Sequence, residues 1–457
     1  MERTLSSTRW HVAKPLTLVL AAVLLVLVLV VSVSALSAYR MSTVRKGWDS
    51  VLGSWDEVMQ RYPATEANAS ALELERLVSD LGLVIAPRHT ERWKDLSKKR
   101  SAVFDHTGKG PKNKRAATSD HNQSVVFFDY GMKQLKRAER GRIDPPPPEL
   151  SSYIAKYDEE LVTVRRHLNR GVVPVWESDL SAAEIGPIPN VLGHYHLQKL
   201  LASVALARLY AGDSEGAQAD IEAAWHLSQS LGDSPILLNQ LMLIMGVRMQ
   251  LGVLRQIPDV DEVWLDRLTE HDYRESFISA MKHEGRGWLY YDDPLLAVKL
   301  RPSWKLAAAR LVRPYAKLYI ADMSDAWREW LVKLDQVGAI CDRPMARLDA
   351  DLEIPQPWSV LGGQLTPDPE LAGTIDRLAS LELDLELTRL LIEADAERRA
   401  NGGAWPESLT AIRNSDACPD DRWRYSVTDE GLEIALTRDV RWPNQKGTIL
   451  PTRVMAH

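Results

Sequence analysis

Two short constellations in this chain carry residue types able to do chemistry. His194 and His196 stand two apart, with Glu177, Asp179 and Glu184 nearby in sequence. Imidazoles and carboxylates are zinc ligands, and the pair follows Pro189 and Gly193, where a helix start would let both rings turn toward one ion. Inside a helix, neighbours two apart point about 200° away from each other, and the competing reading is surface or capping histidines. The second constellation is His283-Glu284-Gly285-Arg286. A carboxylate beside a guanidinium and a titratable imidazole suits general acid–base work. The competing reading is an inter-helix salt bridge at a helix end, with Gly285 and Gly287 permitting the break. Asp292-Asp293 would raise one carboxyl pKa if buried together; followed by Pro294, they also read as a helix cap. Glu382, Asp384 and Glu386 alternate along a predicted helix, share no face and make a poor cation site.

The usual catalytic signatures are missing. There is no Gly-x-x-x-x-Gly-Lys-Ser/Thr, no Gly-x-Gly-x-x-Gly, no His-Glu-x-x-His and no Gly-x-Ser-x-Gly. The sequence therefore assigns no catalytic residue and no cofactor. It leaves His194 and His196 as the metal candidates.

The elements that would position these residues begin with an anchor. Leu16 to Leu36 is a run of 21 uncharged residues, nearly all Leu, Val or Ala. At about 1.5 Å per residue such a helix spans the ~30 Å hydrocarbon core of a bilayer. Lys14 lies on one side and Arg40, Arg45 and Lys46 on the other, with Trp10, Tyr39 and Trp48 placed for an aromatic belt. The competing reading is a cleaved signal peptide ending within Ser32–Ala38, although cleavable apolar regions are shorter, about 7 to 15 residues. The basic flanks balance, so orientation rests on the short head and very long tail. These favour the bulk of the chain outside the cytoplasm, on the periplasmic side of a bacterial inner membrane.

The chain as a whole is 45% hydrophobic, 26% charged and carries a net charge of −6. The segment Pro87–Ser119 holds ten Lys or Arg against three acids, so it carries +7 and the remainder −13. Its Gly108–Arg115 stretch reads as a flexible loop, suited to an anionic surface such as lipid headgroups or cell-wall polymer. Nucleic acid is disfavoured, because no aromatic residues are interleaved for base stacking. The two cysteines, Cys341 and Cys418, are either one bridge or two thiols. Asn68 and Asn122 begin Asn-x-Ser sequons, which matter only in a eukaryotic secretory route.

The resulting plan is mainly α. A head (1–15) and the transmembrane anchor (16–36) lead into a juxtamembrane helical stalk (40–86), whose first helix is predicted at Val44–Met59. The basic loop (87–120) follows, then a helix with the Pro145–Pro148 spacer (121–148). A helical domain (149–354), a Pro-rich linker (355–370) and a long helix with a small β-hairpin tail (371–457) complete the chain. Within the body, His194–Ala211 and Ser214–Leu231 pair across Gly212-Asp213, and Ala205, Ala217 and Ala224 occupy close-packing positions. This unit resembles a single tetratricopeptide-type hairpin in an otherwise irregular multi-helix body, with Arg208 where that motif prefers an aromatic. Arg208 and Trp225 are the positions expected to touch a protein partner. Ile236–Leu254 is very apolar but interrupted by Asn239, Gln240, Arg248 and Gln250, which marks a buried central helix.

At the end, Asn401-Gly402-Gly403 stops the long helix and Trp405-Pro406-Glu407-Ser408-Leu409 follows. Trp423–Val427 and Leu432–Leu436 then alternate as a hairpin around Gly431. Leu381–Leu436 resembles the globular end of type II secretion pseudopilins. It also resembles the tails of a set of functionally uncharacterised, membrane-anchored helical proteins of bacteria. A pseudopilin has its apolar helix after a Gly cleavage site and with an early Glu; this chain has neither. The second resemblance therefore fits better. The expectation is a membrane-anchored envelope protein acting as a helical interaction or assembly scaffold without catalysis. Two alternatives stand beside it: an envelope hydrolase using His194/His196 or Glu284/Arg286, and an accessory of a secretion or pilus-like system.

Overall fold

The computed structural model describes residues 7–88, 90–99, 127, 130–131, 133–135, 139–180, 187–287, 289, 303–336, 370–428, 431–437 and 453–456. The centre of the basic loop, Asn122, Glu184, Asp292-Asp293, Cys341 and the Pro-rich linker lie outside these residues. In chain order the elements begin with α1 (Ser7–Leu52), α2 (Trp55–Arg61), α3 (Ala69–Asp80), α4 (Glu91–Lys99), α5 (Pro148–Lys156) and α6 (Asp158–Leu168). The hairpin α7 (Val191–Tyr210) and α8 (Ser214–Gln229) follows, then α9 (Leu237–Leu254), α10 (Val263–Glu270) and α11 (Tyr273–Gly287). Two long helices, α12 (Ser303–Gln336) and α13 (Glu370–Ala400), precede β1 (Trp423–Thr428), β2 (Gly431–Leu436) and β3 (Arg453–Ala456).

The chain forms two compact units that do not follow the expected order of domains. One comprises residues up to Val58 together with Glu284–Leu334, and the other comprises Met59–His283 and the tail from Pro367. Glu284–Leu334, inside the expected helical domain 149–354, thus groups with the anchor.

In the first unit, α1 does not stop where its apolar run ends. With no proline between Leu16 and Gly53, the helix continues to Leu52 and terminates only at Gly53, whose φ of 81° ends the helical path. The separate helix expected at Val44–Met59 is therefore the end of α1 plus α2, broken at Gly53. Ser37, Met41, Val44 and Trp48 recur at helical spacing and are all buried. Trp48 Nε1 donates to Ser324 Oγ (2.8 Å), which donates onward to the Gly285 carbonyl (2.7 Å). A Cβ at Gly285 would lie 2.5 Å from Trp327 Cδ1 and 3.0 Å from Trp48 Cζ2, so only glycine lets both indoles approach this backbone. Arg40 bridges Asp322 (2.8 Å) and Asp325 (3.0 Å) on α12. The helix α12 is continuous from Ser303 to Gln336 and carries Pro314 inside it.

In the second unit, α7, α8 and α9 pack mutually, α6 bridges α3 and α8, and α13 lies on α9 and α10. Ala205, Ala217 and Ala224 have no exposed surface, as close packing of the hairpin requires. The interruptions in apolar α9 find partners inside the body. Gln240 donates to the Gly232 and Ser234 carbonyls (both 2.8 Å), and Gln250 to Gln198 Oε1 (2.8 Å) and Ser228 Oγ (2.7 Å). Arg248 and Arg255 converge on Asp384 of α13 at 2.8 and 3.1 Å. Further along α13, Asp395 takes both nitrogens of the Arg140 fork at 2.7 Å. The stretch after α9 divides into α10 and α11, and Asp272 Oδ1 caps the second helix at Glu275 N, 2.8 Å away.

The tail holds the expected antiparallel hairpin of β1 and β2, and β3 joins it in the order β1-β2-β3. Trp423 pairs with Leu436 and Thr428 with Gly431, while β3 adds Ala456 opposite Leu432. On β2, Leu432, Ile434 and Leu436 alternate inward. Glu386 of α13 accepts from Ala417 N (2.9 Å) and Trp423 Nε1 (2.7 Å), tying the tail to the helix.

Candidate functional site

The histidines singled out from sequence lead to one cleft of about 290 Å³ in the second unit. Its walls include Tyr62, Thr65, Trp176, Ser230, Asp233 and Asn239. Prolines 63, 174, 189 and 235 hold its segments extended. Thr65 and Ser178 close a short antiparallel bridge by reciprocal backbone bonds of 2.9 and 3.1 Å. Thr65 Oγ1 donates to the Trp176 carbonyl at 3.0 Å, and Trp176 Nε1 donates to Ser230 Oγ at 3.0 Å. Two walls are backed by histidines. The His194 ring meets Trp176 edge-to-face at 4.6 Å, and His283 meets Tyr62 the same way at 5.2 Å.

This placement decides what His194 can do. Neither ring nitrogen has a hydrogen-bond partner, and burial pushes its pKa down to about 3. It stays neutral at physiological pH and lacks the oriented carboxylate of a general base. His196 sits two residues on within regular α7, the spacing that turns the rings apart. Glu177 is engaged with Arg92 at 2.8 Å. Among the described residues, no group of three or more potential ligands is placed to hold a metal ion. The cleft is lined by hydroxyl and amide groups beside the Tyr62 and Trp176 rings.

The second constellation divides between the units, with His283 in one and Glu284 and Arg286 in the other. Arg286 is fully buried, pairs with Asp49 of α1 and lies over the Trp55 ring, 5.5 Å from its centroid. It takes the inter-helix salt-bridge form. The expected partner-contact residues are also engaged. Arg208 meets Asp213 and Asp220 at 2.9 Å each, and Trp225 is 3% exposed against Trp264. The hairpin's aromatic-for-arginine exchange is thus explained by acids, and Trp225 offers packing rather than surface. Glu382, Asp384 and Glu386 address separate neighbours: Asp384 faces the α9 arginines, Glu386 the tail, and burial pushes Glu382 up to about 7.

Sequence reasoning missed the joints made by Ser324, Asp384 and Asp395. Arg248 inside apolar α9 was a signal, because a buried guanidinium requires a carboxylate. No protein-family model matches the chain, and no curated protein or solved structure matches it.

Proposed function

We propose that this is a single-pass membrane protein whose helical body serves as an interaction or assembly scaffold outside the cytoplasm. The observation that carries the reading is the continuity of α1. Its apolar part is long and apolar enough to cross a bilayer and none of it is buried, while its continuation is keyed into α12 through Arg40 and Trp48. An anchor built this way acts as a rigid arm, which suits a protein that holds partners at a set place on a membrane. The apolar run, longer than a cleavable one, favours retention over cleavage. Disulfide-bonded Cys418 favours an oxidising compartment, hence the periplasmic side. The basic segment 87–120 would add contact with an anionic surface.

A second reading, an accessory of a secretion or pilus-like system, is supported by the tail. There a long helix, a glycine turn, Trp405–Leu409 and an antiparallel hairpin follow in the order that the pseudopilin resemblance implies. Crosslinked co-purification of the full chain from gently solubilised native membranes, read by mass spectrometry, tests both. A reproducible stoichiometric protein partner supports the scaffold, and one belonging to secretion machinery selects the second reading. Recovery of the protein alone contradicts both.

A further inference from the structure

Between α13 and the tail lies a second cavity, of about 300 Å³, lined by charged side chains. Glu386, Arg389 and Glu393 of α13 reach it from one helix face, opposite Thr410, Arg413 and Trp423. Two of these charges are already used. Glu386 receives Ala417 N and Trp423 Nε1, and Arg413 pairs with Asp416 at 3.1 Å. Arg389 and Glu393 are different. Glu393 Oε2 and Arg389 Nε are sealed from solvent and have no hydrogen-bond partner.

Elsewhere in this unit such groups meet each other, as in Arg140–Asp395 at 2.7 Å and Arg248–Asp384 at 2.8 Å. Arg389 and Glu393 stand one turn apart, yet with arginine first, the less favourable order for a helical pair. Burial pushes the Glu393 carboxyl above its ordinary range. Buried polar atoms without partners are costly, and a ligand that supplies both partners recovers that cost.

We infer that this cavity binds a small zwitterion, its ammonium on Glu393 and its carboxylate on Arg389. The remaining charges balance one against one, which disfavours a bare cation or a bare anion. The volume lies at the small end of ligand pockets, fitting a free amino acid or a dipeptide with both termini unblocked. Thr410 Oγ1 and the Trp423 ring are available to hold the remainder of the ligand.

The test is calorimetry on the detergent-solubilised full chain, titrated with a panel of free L-amino acids and with diglycine. Saturable binding by any of them is expected, and whether an amino acid or diglycine binds tells the two sources apart. N-acetylation or methyl esterification of the best ligand should each weaken binding by about tenfold, as loss of one charge pair does. Glu393→Gln and Arg389→Gln should do the same. The blocked ligands probe the unaltered protein, so the result stands even where a variant misfolds. No saturable heat from any probe, or equal binding of blocked and free forms, overturns the inference.

Discussion

Among the described residues, two helices are long and apolar enough to cross a bilayer, and their surroundings are opposite. None of the apolar window of α1 is buried, against 67% of that of α9. The difference lies in the polar residues each carries. In α9, Gln240, Arg248 and Gln250 each reach a specific partner on α7, α8, α13 or a neighbouring turn. Between Thr17 and Leu36, α1 has only Thr and Ser hydroxyls, the kind a helix satisfies on its own backbone, as Ser34 does at the Val30 carbonyl (2.7 Å). Hydropathy alone cannot separate a core helix from a span. Polar interruptions that demand distant partners can.

The sharpest way to break the comparison is Asp384→Ala, which strands Arg248 and Arg255 inside the helical body. A loss of about 3–5 kcal/mol is expected, read as a lowered unfolding midpoint by circular dichroism. Leu25→Lys places the same kind of charge in α1, where Leu25 is 63% exposed. Without a partner it should oppose insertion by about 2.5–3.5 kcal/mol, read as a smaller membrane-inserted fraction. An unchanged fraction would count against a span.

His194 sharpens the contrast, being a polar group in the body with no partner. Its pKa is 6.5 unfolded and about 3 folded, so the unfolded chain binds the extra proton between those values. Stability from this group is complete above 6.5 and falls as pH drops toward 3, by about 1.4 kcal/mol per unit. Burial raises the Asp220 carboxyl to about 6 and Glu382 to about 7, which works in the opposite direction. The contribution of His194 is therefore the difference between parent and His194→Phe in stability measured from pH 7 to 4. The variant should show the smaller acid loss. The least effect belongs to Leu238→Lys on the outer face of α9, where Leu238 is 46% exposed. A change within about 0.5 kcal/mol is expected in the same melting experiment.

Local features were readable in the sequence, and long-range ones were not. The α7–α8 hairpin was legible because Gly212 takes a positive φ (82°) and Asp213 caps Gly216 N, both short-range signals. The alternation of β2 and the turn at Gly431 were legible for the same reason. The continuity of α1 was obscured by the Ser- and Ala-rich stretch, which also reads as a cleavage region. The strand β3 was invisible because four residues hold too little alternation. At the candidate sites, His194 was visible as a residue type, but its burial against Trp176 depends on contacts from outside α7. The pairing of Arg140 with Asp395 spans 255 positions, a separation at which residue types name no partner.

The central claim is that α1 remains attached as a membrane-spanning arm. Alkaline carbonate extraction of native membranes, followed by intact-mass measurement of the pelleted protein, tests it most directly. The account predicts that the chain stays in the pellet and keeps its N-terminal apolar helix. Release into the supernatant, or a chain beginning within Ser32–Ala38 or after it, would contradict it.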